Sequence, residues 1–136
     1  MDCTNRTITL KKRVIPLAFT SQEMLDIQLE ITTPFRDAIA IVLGRNPKDK
    51  SDSSKMGSNE HLNAAAKMIR ILGNAGLEES GQEADLTDKK VLRLMHPSEV
   101  AEIVNICIDV IGEAMNEKPS EGQPEDPENK PATDEK

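Results

Sequence analysis

The chain has 136 residues, enough for one domain, and a formal net charge of −7. That charge disfavours binding to nucleic acid phosphates, which need clustered Lys and Arg. With no Trp, no Tyr and only two Phe, the core must be aliphatic, and aromatic stacking on bases or sugars is nearly excluded.

Membrane and secretion signals are missing from the sequence as it stands. No apolar run approaches the roughly 20 residues of a membrane span, and the N-terminus lacks an apolar signal-peptide core. We therefore expect a cytoplasmic protein that binds neither membrane nor nucleic acid. Cys107 lies in an apolar helical run and is expected to be a buried free thiol, because a disulfide to Cys3 would be unusual in a reducing compartment.

The N-terminal region has the pattern of a β-hairpin. Segments 7–10 and 14–19 are rich in β-branched and apolar residues, and Lys11-Lys12 separates them. Pro16 indicates that the second strand is an edge or is irregular. The side chains expected on the buried side are Ile8, Leu10, Val14 and Leu17.

Two helices are predicted next. Thr20 and Glu23 fit a capping box at the start of the first helix. Thr33 as N-cap and Pro34 at the first helical position predict the second helix, which ends at Gly44. The residues expected to share one face of the first helix are Met24, Leu25, Ile27, Gln28 and Ile31.

A third helix is predicted from Asn59 to Leu72, with Gly73 as its stop. Its main apolar stripe consists of Leu62, Ala65, Ala66, Ile69 and Leu72. At about 100° per residue, Ile71 points away from that stripe. A helix that is apolar on both sides is either central in the core or presents a face to a partner.

Two more helices follow, one capped by Thr87 and running to Met95, the other running from Pro97 to about Met115. The apolar positions of the last helix cover an arc of about 160°, wider than the usual core stripe of about 100°. This helix is therefore either the best-buried element or a docking face. Ile106 and Ile108 lie at the margins of its arc.

The sequence thus predicts an α+β fold, mainly helical, in which an N-terminal hairpin packs on about five helices. Residues 1–115 form one domain with a flexible polar loop at 45–57. Residues 116–136 hold seven acids, three bases and four prolines, and are expected to be a disordered acidic tail.

Catalytic and metal-binding patterns are weak. His61 and His96 have no second His or Cys at ligand spacing, so no metal or other cofactor is expected. We expect His61 to face water and His96 to sit in a cap or turn. The GxxG at 73–76 matches RNA-binding loops only loosely, since a helix end explains both glycines. We predict that the protein is not an enzyme.

The partner-binding candidates are Ile71, Ile106 and Ile108, because they lie off or at the margins of the core stripes. The alternative for each is ordinary burial against a neighbouring helix.

The order of these segments resembles the tail assembly chaperones of long-tailed bacteriophages and prophages, especially those of Gram-positive hosts. The segment VIPLAFT at 14–20, which leads into a capped helix, carries most of the resemblance. AAAKMIRILGNAG at 64–76 and HPSEV at 96–100 add to it, over about residues 7–115. The loops at 45–57 and 78–85 depart from the pattern.

The resemblance implies a chaperone that binds the tape measure protein, keeps it soluble and helps recruit tail tube protein. The alternative is a small intracellular helical adaptor or regulator that acts through an apolar docking face or self-associates through it.

Overall fold

A computed structural model of the chain describes residues 6–49 and 51–116. Over these ranges a two-stranded antiparallel sheet is followed by five α-helices, which confirms the predicted α+β, mainly helical class. The elements are β1 (Thr7–Leu10), β2 (Arg13–Pro16), α1 (Ser21–Glu30), α2 (Phe35–Val42), α3 (Asn59–Glu79), α4 (Asp88–Leu94) and α5 (Val100–Asn116). The disordered tail predicted for 116–136 lies, past Asn116, outside the described residues.

The hairpin forms around a two-residue turn. Lys11 and Lys12 both have positive φ, of 48° and 21°, as a tight turn between right-twisted strands requires. That turn pairs Leu10 with Arg13 and therefore Ile8 with Ile15. Val14 was expected on the buried side, but it is 58% exposed. It pairs with Thr9 on the outer face, and Ile15 is buried in its place.

The first helix begins as its capping box predicts. The Thr20 main-chain N–H donates to Glu23 Oε1 over 2.7 Å, and the Gln22 N–H donates to Thr20 Oγ1 over 3.2 Å. The predicted common face is wrong in part. Ile27 is fully buried, whereas Leu25 points to solvent on the opposite side of α1.

The second helix begins one residue later than predicted. Pro34 is its N-cap with an extended ψ of 173°, and Thr33 makes no capping hydrogen bond. The predicted end is confirmed. Gly44 has φ of 78°, a backbone conformation that glycine adopts without steric cost, and its N–H donates to the Ile41 carbonyl over 2.9 Å.

The third helix does not stop at Gly73. It continues to Glu79, and both glycines lie where α3 packs closely on its neighbours. A Cβ on Gly73 would lie 2.6 Å from Leu86 Cδ1. A Cβ on Gly76 would lie 2.0 Å from the Pro16 carbonyl oxygen. The close approach also lets the Ala18 N–H donate to the Leu72 carbonyl over 3.2 Å. These glycines are therefore packing residues, and the segment 73–76 is neither a helix end nor a loop.

The last two helices follow their predicted caps. Thr87 Oγ1 accepts the Lys90 N–H over 3.1 Å at the start of α4. Pro97–Glu99 is a short 3₁₀ turn, so α5 proper begins at Val100 and not at Pro97. The buried side of α5 consists of Val100, Ile103, Val104, Cys107, Val110 and Ile111.

The third helix lies at the centre of the domain and packs against α1, α2, α4, α5 and β2. This position explains why it is apolar on both sides. Ion pairs reinforce it. Arg70 Nε donates to Asp88 Oδ1 at the start of α4 over 2.6 Å, and its guanidinium also binds Glu30 at the end of α1. Lys67 Nζ reaches the other oxygen of Asp88 over 2.9 Å.

Candidate partner-binding site

The three residues selected from the sequence do not form one surface. Ile71 is 6% exposed and belongs to the core, so it offers little area to a partner. Ile106 and Ile108 are both half-buried and border the solvent-facing side of α5. Two residues apart on a helix, they point about 200° away from each other. They therefore mark two separate borders of α5.

Among the described residues, α1 carries two leucines whose side chains remain exposed to solvent. Leu25 is 50% exposed and Leu29 is 72% exposed. They are four residues apart, so they are neighbours one turn apart on the side of α1 opposite the buried Ile27. Leu25 was predicted on the core face from the sequence, and Leu29 was not among the predicted sites. Their angular position opposite Ile27 is the signal that could have identified them.

A shallow groove of about 160 Å³ adjoins the C-terminal end of α1. Ile31, Ile41 and Ala64 supply its apolar lining, and Glu30, Glu60, Asn63 and Lys67 its polar lining. Because Arg70 binds Glu30, the end of α1 is fixed against α3 beside this groove. This groove lies on the side of α1 that faces α3, so Leu25 and Leu29 alone are named the α1 surface below.

A second groove, of about 230 Å³, lies between β1 and α5. Its lining residues are Thr7, Ile8, Thr9, Glu99, Glu102, Ile103 and Ile106. Ile106, selected from the sequence, therefore forms part of a groove in the structure. The carboxylates of Glu99 and Glu102 give this groove an acidic side.

The histidines have structural roles. His61 was expected to face water, but it is 5% exposed. Its Nδ1 accepts the Gly57 N–H over 2.9 Å and so fixes the end of the 45–57 loop to α3. Burial lowers the pKa of His61 below its usual 6.5. His96 caps the 3₁₀ turn, with its Nδ1 accepting the Ser98 N–H over 3.1 Å, as expected.

Asp85, Asp88 and Cys107 also have structural roles. Hydrogen bonds from Arg13 and Lys90 lower the pKa of Asp85 to about 2. Burial alone would raise the pKa of Asp88, but hydrogen bonds from Lys67 and Arg70 outweigh it and lower that pKa. Cys107 is a buried free thiol, as predicted, and burial raises its pKa to about 12.

Two searches of the described ranges gave negative findings. No group of three or more His, Cys, Asp or Glu within 6–49 and 51–116 is placed to hold a metal ion. None of the helices in that part of the chain combines the length and apolar character that crossing a membrane requires.

Comparison with protein-family models, curated proteins and solved structures finds no match to this chain.

Proposed function

We propose that this protein is a tail assembly chaperone of a long-tailed phage or prophage. In this role it acts in the host cytoplasm, binds the tape measure protein, keeps it soluble and helps recruit tail tube protein. The observation that carries the proposal is the α1 surface, where Leu25 and Leu29 remain in water after the core has formed. The resemblance in segment order supplies the identity of the client.

The size of the α1 surface suits a reversible holder of an unfolded or extended client. Complete burial of one Leu contributes about 1.5–3 kcal/mol. Two leucines that are half and nearly three-quarters exposed therefore contribute on the order of 2–4 kcal/mol. One such site corresponds to a dissociation constant in the millimolar range or weaker. Because separate copies that are not linked gain no avidity from one another, coverage of a long client depends on a high concentration of the chain, and tube protein can displace each copy singly.

The net charge of −7 supports the same role. Net charge keeps a protein and its complexes apart from one another in solution. A chain with exposed leucines and an excess of carboxylates can therefore coat an apolar client without joining neighbouring clients together.

Co-expression with the tape measure protein of the same genome tests the proposal. The chain carries an affinity tag, the complexes are cross-linked before purification, and the amount of tape measure protein that co-purifies is measured. The binding variant is Leu25→Gln/Leu29→Gln. The matched control is Met115→Gln, which changes an exposed apolar side chain at the end of α5. Circular dichroism and thermal unfolding establish that both variants fold.

We expect the wild type and Met115→Gln to retain the tape measure protein in the soluble fraction. Leu25→Gln/Leu29→Gln should lose most of it without losing thermal stability, because neither leucine is part of the core. Equal co-purification by both variants would refute the role of the α1 surface. A tape measure protein that is equally soluble without the chain would refute the chaperone function.

A second candidate function is that of a small helical adaptor acting through α5. The half-buried Ile106 and Ile108 at the borders of its solvent-facing side favour it. Light scattering on the wild type, Ile106→Asp and Ile108→Asp tests it. A dimer that either substitution dissociates would support the adaptor, and a monomer in all three would contradict self-association.

A further inference from the structure

The main chain of β1 has a free outer edge. The turn pairs Leu10 with Arg13, and the Leu17 N–H donates to the Arg6 carbonyl over 2.9 Å. In an antiparallel pair, hydrogen-bonded and non-hydrogen-bonded positions alternate. The N–H and C=O groups of Thr7 and Thr9 therefore point away from β2. No main-chain hydrogen bond from another described residue outside the hairpin reaches either of them.

The residues of β1 do not protect this edge. Natural edge strands are commonly blocked by Pro, a bulge or charged side chains within the strand. The outward positions of β1 carry two threonines, which favour β-structure and bear no charge. The charges that flank the strand are Arg6, which pairs with Glu113 and Asp109, and Lys11 and Lys12 in the turn.

The groove between β1 and α5 lies directly beside that edge. Ile103 and Ile106 form its apolar floor, and Glu99 and Glu102 give its acidic side. Two carboxylates nearer the C-terminal end of α5 are already in ion pairs, because Arg6 binds Glu113 over 2.7 Å and Asp109 over 3.4 Å. Glu102, in contrast, makes no ion pair within the described part of the chain.

We propose that the outer edge of β1 binds an extended partner segment, which adds a third strand to the sheet and carries an apolar and a basic residue two positions apart, on the face turned toward α5. Main-chain hydrogen bonds to Thr7 and Thr9 hold the segment in register. One apolar side chain packs on Ile106, and Lys or Arg pairs with Glu102. This edge is separate from the α1 surface, so the inference stands whether or not the chaperone function holds.

Charge favours a basic partner segment over two other occupants of this edge, which are residues 117–136 and a second copy of the chain. The sequence from 117 to 136 has seven acids and three bases, so the carboxylates beside the groove repel it. A second copy paired through β1 in antiparallel register would bring the acidic sides of both α5 helices together. A basic side chain placed opposite Glu102 meets neither penalty, because Lys11 and Lys12 lie beyond the strand in the turn.

Proline substitution separates the two edges of the hairpin. Thr9→Pro removes an outward N–H and blocks strand addition while leaving the β1–β2 hydrogen bonds in place. Val14→Pro is the matched control, because Val14 pairs directly with Thr9 and lies on the other edge. Glu102→Gln tests the charge without touching the backbone.

The probe is a capped peptide of two Thr-Val-Thr-Lys repeats, which presents Val and Lys on one face of a strand, and a Thr-Val-Thr-Glu peptide of equal length is its comparator. Binding is measured by titration with ¹H–¹⁵N NMR, which also reports whether each variant folds. We expect the lysine peptide to shift the amides of Thr7 and Thr9. Thr9→Pro should weaken binding about tenfold or more, and Glu102→Gln about threefold. Val14→Pro should bind as the wild type does.

Three results would overturn the inference. Equal affinity of wild type, Thr9→Pro and Glu102→Gln would show that the peptide binds elsewhere. Equal affinity for the glutamate peptide would show that the groove does not select basic residues. Concentration-dependent shifts of Thr7 and Thr9 without peptide would show that a second copy occupies the edge.

Discussion

Gly76 is expected to be among the least replaceable residues of the domain. A Cβ there would lie 2.0 Å from the Pro16 oxygen, 2.4 Å from its carbonyl carbon and 2.8 Å from the Leu17 nitrogen. All three atoms are backbone, so no side chain can rotate to make room. Gly76→Ala therefore forces α3 away from the hairpin.

The magnitude follows from two opposing effects. Alanine improves helix propensity by about 1 kcal/mol. Overpacking a close contact costs about 1–3 kcal/mol, and more where the backbone must move. We expect a net destabilisation of about 2–3 kcal/mol. For a folded region of this size, that lowers the melting temperature by roughly 8–12 °C.

Gly112→Ala is the matched control, because Gly112 is also helical and a Cβ there would meet nothing within 4 Å. It should gain about 0.5–1 kcal/mol from propensity alone. Thermal and urea unfolding of wild type, Gly76→Ala and Gly112→Ala are compared by circular dichroism. If Gly76→Ala were as stable as Gly112→Ala, the close helix–strand contact would be refuted.

Two further predictions concern pH. Because burial lowers the pKa of His61 below 6.5, the unfolded state binds more protons than the folded state in this range. The contribution of His61 to stability should therefore be fully present above about pH 7 and fall as the pH drops through 6.5. His61→Gln should flatten this slope in urea unfolding; an unchanged slope would contradict the burial argument. The pKa of Asp85 is lowered from 3.8 to about 2, so its pairing with Arg13 and Lys90 stabilises the fold above pH 4. That contribution should disappear between pH 4 and 2, and Asp85→Asn should lack this acid-dependent loss, whereas an equal loss in both proteins would argue against the pairing.

Local signals predicted the elements well. The Thr20 capping box, the Thr87 cap and the Gly44 stop each depend on bonds within a few residues, and all three are confirmed. The predicted buried side of the hairpin was wrong at Val14. A two-residue turn fixes which side chains share a face, and the pattern of apolar residues alone does not reveal the turn length.

Residues whose environment comes from distant parts of the chain were harder to predict. Gly73 and Gly76 have the sequence appearance of a helix stop, but their role depends on β2 and on Leu86, which folding brings against α3. His61 is buried because the end of the 45–57 loop folds over it. The exposure of Leu25 and Leu29 could have been predicted from their angular positions on α1 relative to Ile27. The open edge of β1 could be identified only once the β1–β2 pairing register was known.

The proposed function places many copies of this chain on one tape measure protein through weak apolar sites. The co-expressed complex is cross-linked so that weakly bound copies are retained during size exclusion, and light scattering then measures its mass. We expect a soluble particle containing one tape measure protein and many 15.0 kDa chains, with fewer chains for Leu25→Gln/Leu29→Gln. A complex with one chain per tape measure protein, or no complex at all, would contradict it.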